Sequence, residues 1–137
     1  MLVLDTSVLL AAIDREDPEH GPSAELLAST SETLVVPVPV LTELDHLLGR
    51  RDKADLWMAF VDDMVAGAYA LHAIEADGVA AAARLQANYH DLGIGFVDAA
   101  VFLTCVELGE TKVATLDHRH FSALRSEDGR ALELVPA

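Results

Sequence analysis

The sequence predicts an α/β protein with a mainly parallel sheet, built as one domain over residues 1–137. Three observations carry that prediction. Short apolar runs recur along the chain and each is followed by a helix-length segment, which is the βα alternation of a parallel sheet. Two of the runs, Leu2-Val3-Leu4 and Val113-Ala114-Thr115-Leu116, end on an acid, Asp5 and Asp117. The chain is 52% apolar over 137 residues, enough to bury a core without invoking a second domain.

The elements follow in order. Leu2 to Leu4 has no polar interruption and runs through Asp5-Thr6-Ser7 into Val8-Leu9-Leu10-Ala11-Ala12-Ile13, so a buried strand passes directly into a helix. Asp14 to Pro22 is charged, carries two prolines and reads as a loop, with a helix from Ser23 to about Ser29. Leu34 to Val38 is β-branched and reads as the second strand. Pro39 suits the first turn of the next helix, which carries Leu41, Leu44, Leu47 and Leu48 on one face and ends at Gly49 and the basic cluster Arg50-Arg51-Asp52-Lys53. A further amphipathic helix is predicted over about 54–66, with Trp57, Phe60, Val61 and Met64 at helical spacing. Tyr69-Ala70-Leu71 is a third strand, and Glu75 to about Tyr89 an alanine-rich helix. Asn88 to Gly95 is a loop, Phe96 to Leu108 a strongly apolar helix capped by Gly109, His118 to Phe121 one helical turn, and Leu132 to Val135 the last strand.

Composition narrows the function. Nine Lys and Arg against 23 Asp and Glu give a formal charge of -14, which argues against a broad basic surface for nucleic acid. Bound cations answer that objection locally, because a divalent ion reverses the field of the acids that hold it; a basic partner is the other answer. No apolar run reaches the roughly 20 residues of a membrane span, and an acid at position 5 interrupts any signal sequence, so a cytoplasmic protein is expected. The single cysteine, Cys105, lies in an apolar stretch and reads as core.

Four acids differ from the rest because their neighbours are apolar. Asp5 and Asp117 end strands, Glu43 sits in the leucine-rich helix after the second strand, and Asp98 opens the apolar helix. Ends of parallel strands and starts of the following helices share one edge of the sheet, where ligands of open α/β folds bind. Carboxylates meeting there without a cation repel one another, whereas Mg2+ or Mn2+ accepts them while keeping waters. Such an ion activates a coordinated water and neutralises charge on a phosphate, the equipment of phosphodiester hydrolysis. Ser7 and Thr115, each two residues from an acid, are placed to support the site.

Taken singly, each acid is about as well read as a helix cap or, for Glu43, as a partner of Arg50 or Arg51. Together, Leu4-Asp5-Thr6-Ser7, Thr42-Glu43-Leu44, Gly95-Phe96-Val97-Asp98-Ala99-Ala100 and Ala114-Thr115-Leu116-Asp117-His118-Arg119-His120-Phe121 resemble, in order and spacing, the PIN-domain ribonucleases, and among them the VapC toxins of bacterial toxin-antitoxin pairs. The resemblance spans nearly the whole chain. It implies a three-layer α/β/α fold, Mg2+ or Mn2+ held by Asp5, Glu43, Asp98 and Asp117 with Thr115 in support, cleavage of single-stranded or loop RNA such as tRNA or rRNA, a homodimer, and neutralisation by a small antitoxin. Asp91, in Tyr89-His90-Asp91, is a further candidate on the same ground. Arg119 is a candidate for RNA phosphate, a surface ion pair being the simpler reading. Phosphate steering otherwise falls to Arg50, Arg51 and Lys53.

Other readings compete. His118 and His120 read as a structural turn, since no further ligands stand at zinc spacing. Asp14, Asp17, Glu107 and Asp128 read as solvated surface. A haloacid-dehalogenase-type phosphatase needs a second Asp where Ser7 stands, and a receiver domain needs a lysine after a later strand where Lys112 precedes one. An inactive PIN scaffold that binds protein or RNA, and a housekeeping nuclease without antitoxin, remain the alternatives within the family.

Overall fold

The structure is a computed structural model that describes residues 1–137. Five strands alternate with seven helices: β1 (Leu2–Val3), α1 (Thr6–Ile13), α2 (His20–Ser29), β2 (Leu34–Pro37), α3 (Val38–Arg50), α4 (Ala54–Val65), β3 (Ala70–His72), α5 (Ala76–Asn88), α6 (Phe96–Leu108), β4 (Lys112–Ala114), α7 (His118–Phe121) and β5 (Glu133–Val135). Every strand pairing is parallel: β1 with β2, β2 with β3, and β4 with β5, while a bridge from Leu4 to Ala114 joins the two halves. The strand order is therefore β3-β2-β1-β4-β5. Successive strands are added outward on one side of β1 and then on the other. Right-handed crossovers consequently put α1 to α4 on one face and α5 and α6 on the opposite face, a three-layer α/β/α arrangement.

The order reverses between β1 and β4, and this decides where a ligand can go. At a reversal the two flanking loops diverge to opposite faces and leave a crevice beyond the carboxyl ends of the strands. Asp5 follows β1 and Asp117 follows β4. The two strand-terminal acids thus flank the same crevice.

The core explains the precision of the local assignments. Leu2, Val3, Leu4, Val36 and Val113 are fully buried along the strands. Helix α6 is apolar nearly all round, with Ala99, Ala100, Val101, Phe102 and Cys105 buried, as expected of a helix enclosed by its neighbours. Its predicted and observed limits coincide, and Gly109 takes a left-handed conformation with φ of 70° at its end. Burial pushes the Cys105 thiol up to about 12, so it is a core group without thiolate chemistry. Phe60 stacks on Trp57 and packs at a tilt against Tyr69, with ring centroids 5.8 and 4.9 Å apart.

Four expectations shift. Helix α2 begins at His20, so Gly21 and Pro22 lie in its first turn, where a missing N–H costs nothing. Helix α3 begins at Val38, continues through Gly49 to Arg50, and the chain reverses at Asp52, whose φ is 58°. The loop before α6 contains a 3-10 turn over His90–Leu92.

Asp14 is the fourth, because it is not surface. Its side chain is 3% exposed and accepts from Arg51 Nη1 at 2.7 Å, from Lys53 Nζ and from the Glu16 amide. Burial alone pushes this carboxyl up; the Lys53 and Arg51 bonds together outweigh it and hold it at about 2. Asp17 joins through Arg51 Nη1 at 3.0 Å. The network ties the α1–α2 loop to the corner between α3 and α4. Breaking a wholly buried pair costs about 3–5 kcal/mol, but here each cation keeps a second, more exposed carboxylate. Asp14→Ala is therefore expected to cost about 2 kcal/mol, a fall in Tm of roughly 4–8 °C. A thermal melt at neutral pH checks this, and an unchanged Tm would place the network among surface pairs of little energetic weight.

Candidate active site

The crevice at the strand reversal is lined by Asp5, Glu43, Asp98 and Asp117, together with Thr6, Ser7 and His120. Each arrives by a different local rule. The apolar body of β1 buries Asp5 to 3% exposure. Asp5 occupies the cap position of α1 yet makes no capping hydrogen bond. Its Oδ2 instead accepts from Thr115 Oγ1 at 2.8 Å and Ser7 Oγ at 2.9 Å, and Oδ1 takes no side-chain donor. Burial raises the Asp5 carboxyl above the usual range; the two hydroxyls oppose this and the nearby Glu43 charge reinforces it.

The hydroxyls also join the two halves of the sheet. Leu116 N donates to Ser7 Oγ at 2.9 Å, and Asp117 N donates to Thr115 Oγ1 at 3.0 Å. The backbone carrying Asp117 is thereby pinned to the segment carrying Asp5. Ser7 and Thr115 thus each bond both to Asp5 and to the backbone at Leu116 or Asp117.

Asp98 lies in the first turn of α6 and accepts from the Gly95 amide at 3.4 Å. Burial, and next the Asp5 charge, push its carboxyl up to about 6. Asp117 caps α7 by accepting from the His120 amide at 3.1 Å, so the capping reading of this residue holds alongside its place in the crevice. Glu43 projects from α3 half-buried and accepts no hydrogen bond from the chain. It does not pair with Arg50 or Arg51.

His120 was expected only in a structural turn, and the structure places it in the cluster. Its Nδ1 is 2.7 Å from Asp117 Oδ2 and 3.7 Å from Asp98 Oδ2. One donor atom each from Asp98, Asp117 and His120 lie within 4.8 Å of one another, with Asp5 and Glu43 around them. The signal available in sequence was its position three residues after Asp117, which puts both on one side of a single helical turn. Asp91 is not brought in. Its side chain is 96% exposed and meets only His90 in its own turn. Arg119 is exposed, forms no ion pair and does not line the crevice, so its expected surface partner is also absent.

The donor set suits a hard divalent cation. It offers two closely spaced carboxylates, Asp98 and Asp117, in a crevice also lined by buried Asp5 and half-buried Glu43. The buried hydroxyl Thr6 Oγ1, in the wall of the same crevice, has no partner in the chain. Magnesium and manganese take such oxygens and retain waters.

Comparisons with known proteins bear on the family and the fold. The PIN domain family matches residues 2–126. Ribonuclease VapC26 of Mycobacterium tuberculosis is 36% identical over 135 residues, 98% of this chain and 100% of that protein. Ribonuclease VapC23 of the same species is 29% identical over 92% of this chain and 100% of its own. Among solved structures, M. tuberculosis VapC20, described as a sarcin-ricin loop cleaving toxin, superposes with a TM-score of 0.77 at 24% identity, over 82% of this chain and 87% of that one. VapBC2 of Rickettsia felis, bound to promoter DNA, superposes at 0.65 and 18% identity over 97% of this chain and 96% of its own. A fold of this kind therefore recurs in toxin-antitoxin structures.

Proposed function

The chain belongs to the PIN-domain family, and from that premise we propose that it is a metal-dependent endoribonuclease of the VapC type. One observation supports this most: Asp5, Asp98 and Asp117, from three distant segments, meet Glu43 at the strand reversal of a chain that is 36% identical to a ribonuclease. Asp5, Asp98 and Asp117 would hold Mg2+ or Mn2+, with Glu43 as a further ligand or as the base. When bound, the cation lowers the pKa of a coordinated water and neutralises charge on the phosphate.

The chain's own groups supply the rest. Glu43 has no internal partner to give up, so its carboxylate is available to orient the attacking water and take its proton. Ser7 and Thr115 fix Asp5 and the backbone at Asp117, which limits reorganisation as charge develops. The water oxygen forms a new bond to phosphorus in line as the bond to the 3′ oxygen breaks, and the leaving 3′ oxygen takes a proton from solvent.

The same reading makes the partners an RNA substrate, a small antitoxin and a second copy of the chain, in the cytoplasm. No helix is long and apolar enough to cross a membrane. Purified protein should cleave a single-stranded RNA in Mn2+ or Mg2+, stop in EDTA and recover when the ion is restored. Cleavage that persists in EDTA would overturn the mechanism. A small antitoxin with a basic tail, encoded beside this reading frame, is the corresponding check on the toxin role.

A further inference from the structure

The crevice does not end at the four acids. It continues along a groove between α1 and α3, where Glu43 and Leu47 of α3 and Arg51, which caps its end with helical backbone angles, recur every four residues opposite Leu10 of α1. Eight residues separate Glu43 from Arg51, about 12 Å along a helix. One phosphodiester cannot touch both ends.

Charge distinguishes the far end. Four carboxylates, Asp5, Glu43, Asp98 and Asp117, crowd the near end, while at the far end the fifth, Asp17, is paired with the single guanidinium, Arg51. A strand leaving the acidic end therefore meets repulsion until it reaches that residue. Arg51 is also braced. Both of its ion-pair bonds, to Asp14 Oδ2 at 2.7 Å and Asp17 Oδ2 at 3.0 Å, use Nη1. Nε and Nη2 have no partner in the chain, which leaves one two-donor edge of the fork for phosphate oxygens. Nor does Asp14 require Arg51 for neutrality, since Lys53 and the Glu16 amide occupy its Oδ1. The other basic candidates do not share this arrangement: Lys53 is committed to Asp14 and Glu16, and Arg50 and Arg119 do not line the groove.

We propose that Arg51, aimed by Asp14 and Asp17, binds a phosphate flanking the scissile one and so holds single-stranded RNA along the α1–α3 groove. The inference rests on the ribonuclease reading and adds a substrate-positioning residue to it.

The test compares wild type, Arg51→Gln, Arg51→Lys and Asp14→Asn on a single-stranded RNA 20-mer and on the same RNA trimmed to the nucleotides around its cleavage site. On the 20-mer, Arg51→Gln should raise KM about 10-fold with little change in kcat, and Arg51→Lys should recover part of that loss. The trimmed RNA should show no difference. In an Asp5→Asn background, fluorescence anisotropy against salt should give a slope smaller by about 0.7 for Arg51→Gln, while Asp14→Asn, which keeps the Arg51 charge but loosens its aim, weakens binding with little change in slope. Equal losses on long and short RNA, or an unchanged slope, would reduce Arg51 to a structural residue. If wild type cleaves neither RNA in Mn2+, the ribonuclease reading fails instead, and the anisotropy slopes still decide whether Arg51 holds phosphate.

Discussion

Asp5→Asn is expected to lower metal-dependent RNA cleavage by about 100-fold or more, because loss of even an outer partner of a metal ligand costs about 10–100-fold. The same substitution should raise the Tm of the metal-free protein. Asp5 is 3% exposed, and its charge is disfavoured by burial and by Glu43. An amide removes that charge without leaving Ser7 and Thr115 unpaired, since hydroxyls accept as well as donate. Cleavage assays in Mn2+ and thermal melts in EDTA read the two effects separately. Wild-type cleavage by the variant would remove Asp5 from the chemistry, and a lowered Tm would mean that its charge supports the fold.

The second large effect is a pH dependence set by Asp98. Its carboxyl is pushed up to about 6 in the folded protein, from an ordinary value of 3.8. Between those values the folded state binds the proton more tightly than the unfolded chain does, so stability is fully present below pH 4 and is lost as pH rises through about 6. The loss is on the order of 2–3 kcal/mol. Asp98→Asn should flatten this part of the profile, and the wild-type minus variant difference isolates it from the general repulsion of an acidic chain. A divalent ion binds the folded cluster and not the unfolded chain, so Mn2+ should raise the wild-type Tm more at pH 7 than at pH 5. Parallel wild-type and variant profiles would mean that Asp98 is solvated like an ordinary carboxylate. Asp14 acts in another window: its carboxyl, held at about 2, contributes stability above pH 4 that is lost as pH falls.

Both predictions concern residues legible in the sequence, and the reason is physical. Asp5 and Asp98 stand out because a strand or helix that buries its neighbours must bury them too, and an unpaired buried acid is costly without a ligand. Asp14 has no such mark. It follows Ile13 in a charged, proline-containing stretch, and what buries it is Arg51 and Lys53, 37 and 39 positions later. His120 is similar: its neighbour Asp117 is visible in the sequence, but Asp98, 3.7 Å from its ring, arrives from another helix.

Local pattern therefore determined the strands, the helices, the parallel order implied by their alternation, and the acids that terminate them, since each depends on residues within a few positions. Tertiary structure decided which acids share the crevice, that His120 joins them, that Asp91 stays in solvent, and that Arg51 rather than Arg119 faces the groove. Those outcomes depend on the reversal of strand order at β1, which sets the distances between side chains that no local periodicity relates.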